Sequence, residues 1–198
     1  MVPLATTHLL YLHGFRSSPQ SAKARLVAER VAQRHPHLQW WCPQLPPSPH
    51  DAIDLVMRGI AQWPRGSMAV IGSSLGGFYA TYVAGMTRCR AVLLNPAVHP
   101  ARDLARHIGE QSLWHDPAER FYFRPAYIDE LKALEVGPLV RPERAFAVIA
   151  KGDEVLDWRE MSARYPGSRI KLLEGSDHAL SDFAEHHLDD VMHFIDPA

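Results

Sequence analysis

Gly72-Ser73-Ser74-Leu75-Gly76 holds one serine between two glycines, each two residues away. A serine hydroxyl is a weak nucleophile. It needs a base to take its proton and an acid to orient that base. The five residues fit G-x-S-x-G centred on Ser74, a pattern that carries weight only where a strand precedes it and a helix follows. On so sharp a turn the flanking chain segments come close together, and a Cβ at Gly72 or Gly76 would clash. Ser74 then projects from a helix amino terminus, whose positive end favours a developing oxyanion, and the Leu75 amide is one donor to it. The plainer alternative is a Gly/Ser turn entering a helix. Ser73 is the weaker candidate, because the glycines do not centre on it.

The chain has 12 histidines, so position must choose the base. His178, in GSDHAL, follows an apolar run and precedes the last helical pattern. His186, His187 and His193 fall on that helix and read as solvated or packed. For the acid, Asp153 directly follows the run RAFAVIAKG. Asp157 stands as the alternative, although its place at a helix start suits capping. Asp177 adjoins the histidine and cannot easily reach back to its ring. His13-Gly14-Phe15 ends the first apolar run. Gly14 lets the backbone approach a substrate, and the Phe15 amide is the second candidate oxyanion donor. His13 reads as a structural hydrogen-bonder. Arg16 either meets an anionic part of a substrate or is solvated, with solvation favoured. Asn95, Trp114 and Phe121 are candidate pocket residues, the two aromatics serving equally well as core for their own segment.

These groups need a frame. Apolar runs at 8–13, 38–42, 67–72, 90–95, 144–152 and 169–175 alternate with helical patterns ending near 35, at 51–63, from 75, at 157–165 and from about 180 to 195. Ser18 and Pro19 suit the N-cap and first position of the first helix. Continuous rather than alternating apolar strands predict a mostly parallel sheet of about six strands with helices on both faces. In such sheets active groups gather in loops at the strands' carboxyl ends. Ser74, Asp153, His178 and Phe15 each lie just after a predicted strand. Residues 100–141 break the rhythm with aromatics and turn residues, and predict a short helical cap inserted in a single domain spanning 1–198.

The chain order Ser74, Asp153, His178 is that of the α/β-hydrolases. The segments YLHGFRSSPQSAKA, VIGSSLGGFYATYVA, LLNPAVHP, GDEVLD and GSDHALSDF together resemble the small YqiA-type esterases of that superfamily. The resemblance implies Ser74 as nucleophile, Asp153 as acid, His178 as base, and Phe15 and Leu75 as oxyanion donors. It also implies an ester or acyl-thioester substrate, no cofactor, and a compact sheet lacking the superfamily's first strands.

Composition excludes other classes. The chain has 198 residues, 46 % hydrophobic and 22 % charged, with formal net charge -1. No basic run suggests a nucleic-acid partner, and no apolar run approaches a membrane span. The start, MVPLATTHLLYLHGF, lacks the basic opening of a signal peptide. Cys42 and Cys89 match no metal or redox spacing, so a cytoplasmic protein with free thiols is expected. His35 and His37 flank Pro36, and His186 and His187 are adjacent. Neither pair is expected to converge, and no metal site is predicted. A same-fold amide or C–C hydrolase and a non-catalytic binding module are the competing functions.

Overall fold

The computed structural model describes residues 5–196. The first four residues of the N-terminal stretch weighed as a leader therefore lie outside the described residues, as do the last two of the chain. In chain order the elements are β1 (His8–Leu12), α1 (Ala22–Arg34), β2 (Gln39–Trp41), α2 (Pro49–Gly59), β3 (Met68–Ser73), α3 (Leu75–Thr87), β4 (Arg90–Leu94) and α4 (Pro100–Leu104). Then follow β5 (Gly109–Ser112), β6 (Arg120–Phe123), α5 (Ala126–Ala133), β7 (Ala145–Ala150), α6 (Trp158–Arg164), β8 (Arg169–Leu173), α7 (Phe183–His186) and α8 (Leu188–Ile195).

Six strands form one sheet in the order β2-β1-β3-β4-β7-β8, with every neighbouring pair parallel. This is the parallel sheet covered on both faces that the apolar runs predict, and it has the α/β-hydrolase fold that the resemblance implies. The central strands β3 and β7 are buried at every position, because both their faces are covered. Alternate residues of β1 enter opposite cores. Leu10 and Leu12 join α2, α3 and α6 on one face. Leu9 and Tyr11 join α1, α7 and α8 on the other. All six strands of this sheet run the same way, so the ends of β1, β3, β4, β7 and β8 deliver their loops to one rim.

Three local expectations change. Helix α1 starts at Ala22, not after Ser18, and Ser21 takes the N-cap position. Ser18 Oγ instead accepts from the Gln20 amide, which makes a turn before the helix. The final helical stretch is two helices, broken at buried His187, whose Nε2 lies 3.1 Å from Asp182 Oδ2. Residues 100–141 contain the expected helical pieces but also the antiparallel hairpin β5–β6, paired from Gly109–Phe123 to Ser112–Arg120. Its strands GEQS and RFYF are too short to show a period in the sequence. Among the described residues no helix is long and apolar enough to cross a membrane.

Candidate active site

The turn between β3 and α3 is as sharp as its glycines predict. Ser74 has φ 56° and ψ -121°, a left-handed conformation strained for any residue with a side chain. Its carbonyl accepts from the Gly77 amide at 2.8 Å and the Ala97 amide at 2.9 Å, and its own amide donates to Leu94 O at 3.0 Å. These bonds hold the turn in place. A Cβ on Gly72 would stand 2.1 Å from Gly76 O, and one on Gly76 would stand 1.9 Å from Leu12 O. Both clashes are with backbone, which cannot rotate away. Gly14 is the third close approach, its hypothetical Cβ lying 3.2 Å from Ser74 Cβ.

His178 Nε2 lies 3.0 Å from Ser74 Oγ, and His178 Nδ1 lies 2.7 Å from Asp153 Oδ2. The carboxylate is an acceptor, so it selects the tautomer with the proton on Nδ1. Nε2 is then free to accept from the serine. The Asp153 side chain is fully buried, yet satisfied. Its Oδ1 accepts from the Val155 and Leu156 amides, both at 2.8 Å. Asp157 does the other job: its Oδ1 accepts from the Arg159 amide at 2.8 Å as the N-cap of α6. Asp177 turns to Ser181.

The loop carrying His178 is braced by residues whose part the sequence does not show. Asn95 follows β4, is wholly buried and has φ 41°. Its Nδ2 donates to Asp177 O at 3.0 Å and His178 O at 3.1 Å, while its Oδ1 accepts from the Ala150 amide at 2.8 Å. Asn95 is thus a strut between β7 and the histidine loop, not the pocket residue expected. Glu154 Oε2 accepts from the His178 amide at 3.0 Å. Lys23, on the first turn of α1, donates to Ala179 O. Desolvation there pushes its ammonium down to about 8, against the pull of Asp177 and Asp153.

Phe15, Ser74, Leu75 and His178 border one cavity of about 300 Å³, with apolar walls from Ala97, Leu104, Trp114 and Leu156. A second opening of about 440 Å³ reaches Ser74 and His178 from the side of Lys23, Ser17 and Ser181. Trp114 stands at the edge of both and is 69 % exposed. Phe121 lies one layer back. It packs edge-on against Phe15 at 6.0 Å and lines a separate cavity of about 280 Å³.

Arg16 is half-buried and borders the cavity at Ser74 and His178, with its guanidinium engaged by the β5–β6 segment. Its Nε donates to Ser112 O at 2.6 Å and its Nη2 to Ser112 Oγ at 3.1 Å, while the guanidinium stacks 4.0 Å from the Trp114 ring. The Trp114 amide returns a bond to Arg16 O at 2.9 Å. Arg16 therefore ties the loop after β1 to the cap hairpin.

His13 is a buried structural group. Its Nε2 accepts from the Leu45 amide at 3.1 Å, and its Nδ1 meets Gly14 O at 3.0 Å, so the ring is neutral. Burial pushes its pKa down from 6.5 to about 4, only partly offset by the Gly14 bond. Between those two values the unfolded chain binds a proton that the folded chain refuses. Stability therefore falls as pH drops through that window, at up to ~1.4 kcal/mol per pH unit from this group. Urea midpoints at pH 7 and pH 5 are expected to differ less in His13→Asn than in the unaltered protein.

Against the expectation that neither histidine pair converges, His35 and His37 do. Both rings meet one oxygen of Asp196. His186 and His187 do part, His187 turning inward to Asp182.

Residues 8–196, nearly the whole chain, match the family described as "Uncharacterised protein family (UPF0227)". The chain belongs to that family. It is the YqiA-type family that the five segments resemble, and the chain has the α/β-hydrolase fold. Among solved structures this family member is similar to Est1E from Butyrivibrio proteoclasticus, solved with ferulic acid bound, with 15 % identity over 96 % of this chain and 87 % of that one, TM-score 0.67. It is similar to the alpha/beta hydrolase domain-containing protein 10 from mouse, with 15 % identity over 96 % and 88 %, TM-score 0.69. A third similar structure comes from work on the metagenome-derived lipolytic enzymes LipS and LipT, with 18 % identity over 97 % and 94 %, TM-score 0.68. At these identities the likeness establishes the shared fold.

Proposed function

We propose that this protein is a serine hydrolase that cleaves carboxylic ester or acyl-thioester bonds of small molecules. The observation that carries this reading is the relay from Asp153 through His178 to Ser74, with contacts of 2.7 and 3.0 Å, opening on an apolar cavity. His178 Nε2 takes the Ser74 proton as Oγ attacks the acyl carbonyl. Asp153 holds the ring and stabilises the imidazolium that forms. The amides of Phe15 and Leu75 receive the oxyanion, where loss of one such donor costs on the order of 10²–10³ in rate. The tetrahedral intermediate collapses as His178 gives the proton to the leaving alcohol or thiol. A water, deprotonated by the same nitrogen, then attacks the acyl-enzyme and releases the carboxylic acid and Ser74. The acyl group occupies the cavity walled by Leu104, Trp114 and Leu156, and the leaving group lies toward Lys23.

The test has two arms. A fluorophosphonate probe is expected to label Ser74 alone, located by peptide mass. A chain-length series of aryl esters, run beside acyl-CoA thioesters, is expected to show turnover peaking at an acyl length the cavity can hold. Absence of labelling at Ser74 together with no turnover would leave a non-catalytic binding module. Labelling with turnover only of amides or C–C bonds would move the reaction to another branch of the same fold.

A further inference from the structure

His35, His37 and Asp196 come from opposite ends of the chain, and each offers a donor atom to a common point. His35 Nδ1 lies 2.8 Å from Asp196 Oδ2, His37 Nε2 lies 3.0 Å from the same oxygen, and all the donors fall within 4.8 Å of one another. The residue types are those that bind late first-row divalent cations. A tetrahedral ion with bonds of about 2.0–2.1 Å holds its donors roughly 3.3 Å apart; the two histidine–carboxylate spacings lie within about half an ångström of that, and the two histidine nitrogens, within 4.8 Å of each other, would close on the ion.

The scaffold is held by backbone. His35 caps α1, its amide bonding Val31 O at 2.9 Å, and its carbonyl accepts from Leu38 at 2.9 Å. Pro36 restricts the link between the two histidines. Asp196 caps α8, its amide bonding Met192 O at 2.9 Å. The preceding carbonyl, of Ile195, accepts from Thr6 Oγ1 at 2.5 Å and Arg90 Nη1 at 2.9 Å. Two helix carboxyl ends thus meet at the cluster, and each presents the negative end of its dipole to a cation. His35 and Asp196 side chains are 17 % and 12 % exposed, whereas His37 is 52 % exposed and leaves an approach for the ion and a water ligand.

We propose that His35, His37 and Asp196 bind one late first-row divalent cation, with Zn²⁺ as the reference ion, and that the site is structural. Its position sets it apart from the catalytic rim. The histidines lead into the first residue of β2, which pairs beside the start of β1, and β3 starts beside β1 too. The site therefore lies at the amino-terminal edge of the sheet, while Ser74 follows the carboxyl end of β3. Bound metal would pin the end of α8 to the turn after α1.

Zn²⁺ titrated calorimetrically into the chelator-stripped full chain tests the proposal. One ion is expected per chain at this site. His37→Gln keeps the fold, because the side chain is half in solvent, and should weaken binding by more than the about 10–100-fold that loss of a merely orienting partner costs. Asp196→Asn should do the same. Zn²⁺ at about a hundredfold excess over Kd should raise Tm by about 5 °C or more in the unaltered chain, and far less in either variant. Labelling of Ser74 should be the same with and without chelator. No heat of binding in the unaltered chain would overturn the proposal. So would equal affinity in His37→Gln, because the ion would then sit on other histidines.

Discussion

Ser74→Ala is expected to lower kcat for a turned-over ester by a factor on the order of 10⁶, the loss seen when a triad nucleophile is removed from a serine protease. Alanine deletes only Oγ. The strained backbone and its bonds to Leu94, Gly77 and Ala97 remain, so Tm should stay close to that of the unaltered protein. Fluorophosphonate labelling should vanish with the activity. Esterase activity in the pure variant within tenfold of the original would refute the assignment, since among the described residues the His178 ring meets no other nucleophile.

The second large effect separates two aspartates that lie in one short loop. Asp153→Asn is expected to lower kcat by about 10⁴, because an amide in place of the carboxylate no longer selects the Nδ1–H tautomer. His178 Nε2 would then carry the proton and could not accept one from Ser74. Asp157→Asn is expected to leave kcat almost unchanged, because asparagine caps a helix about as well as aspartate. Asp157→Ala should cost about 1 kcal/mol of stability, with activity retained. Steady-state rates of the three variants on one aryl ester read the difference. A larger loss at position 157 than at 153 would reverse the assignment.

Much of this arrangement is visible in the sequence, for a physical reason. Strands such as AVLL and AFAVIA are covered on both faces and therefore read as unbroken apolar runs. Each candidate group sits directly after one of them, so the fold itself predicts a shared rim. What stays hidden depends on contacts between distant segments. The roles of Asn95, Lys23 and Glu154 exist only because the loop at 175–180 lies against them. The hairpin GEQS–RFYF has no period to read. The helix break at His187 depends on Asp182 and on burial. The convergence of His35 and His37 needs a carboxylate 161 residues away in the chain. Asp157 competes with Asp153 in the sequence because a cap and a triad acid use the same residue type at nearly the same place.

The positive φ at Ser74 carries a consequence for how this protein can change. Glycine would sit there without strain, gaining on the order of 1 kcal/mol for the folded state and erasing the proposed nucleophile. Heat resistance and turnover thus pull one codon in opposite directions. A population of variants screened for thermal survival alone should enrich glycine at 74, whereas one screened on product formation should hold serine and gain its robustness elsewhere.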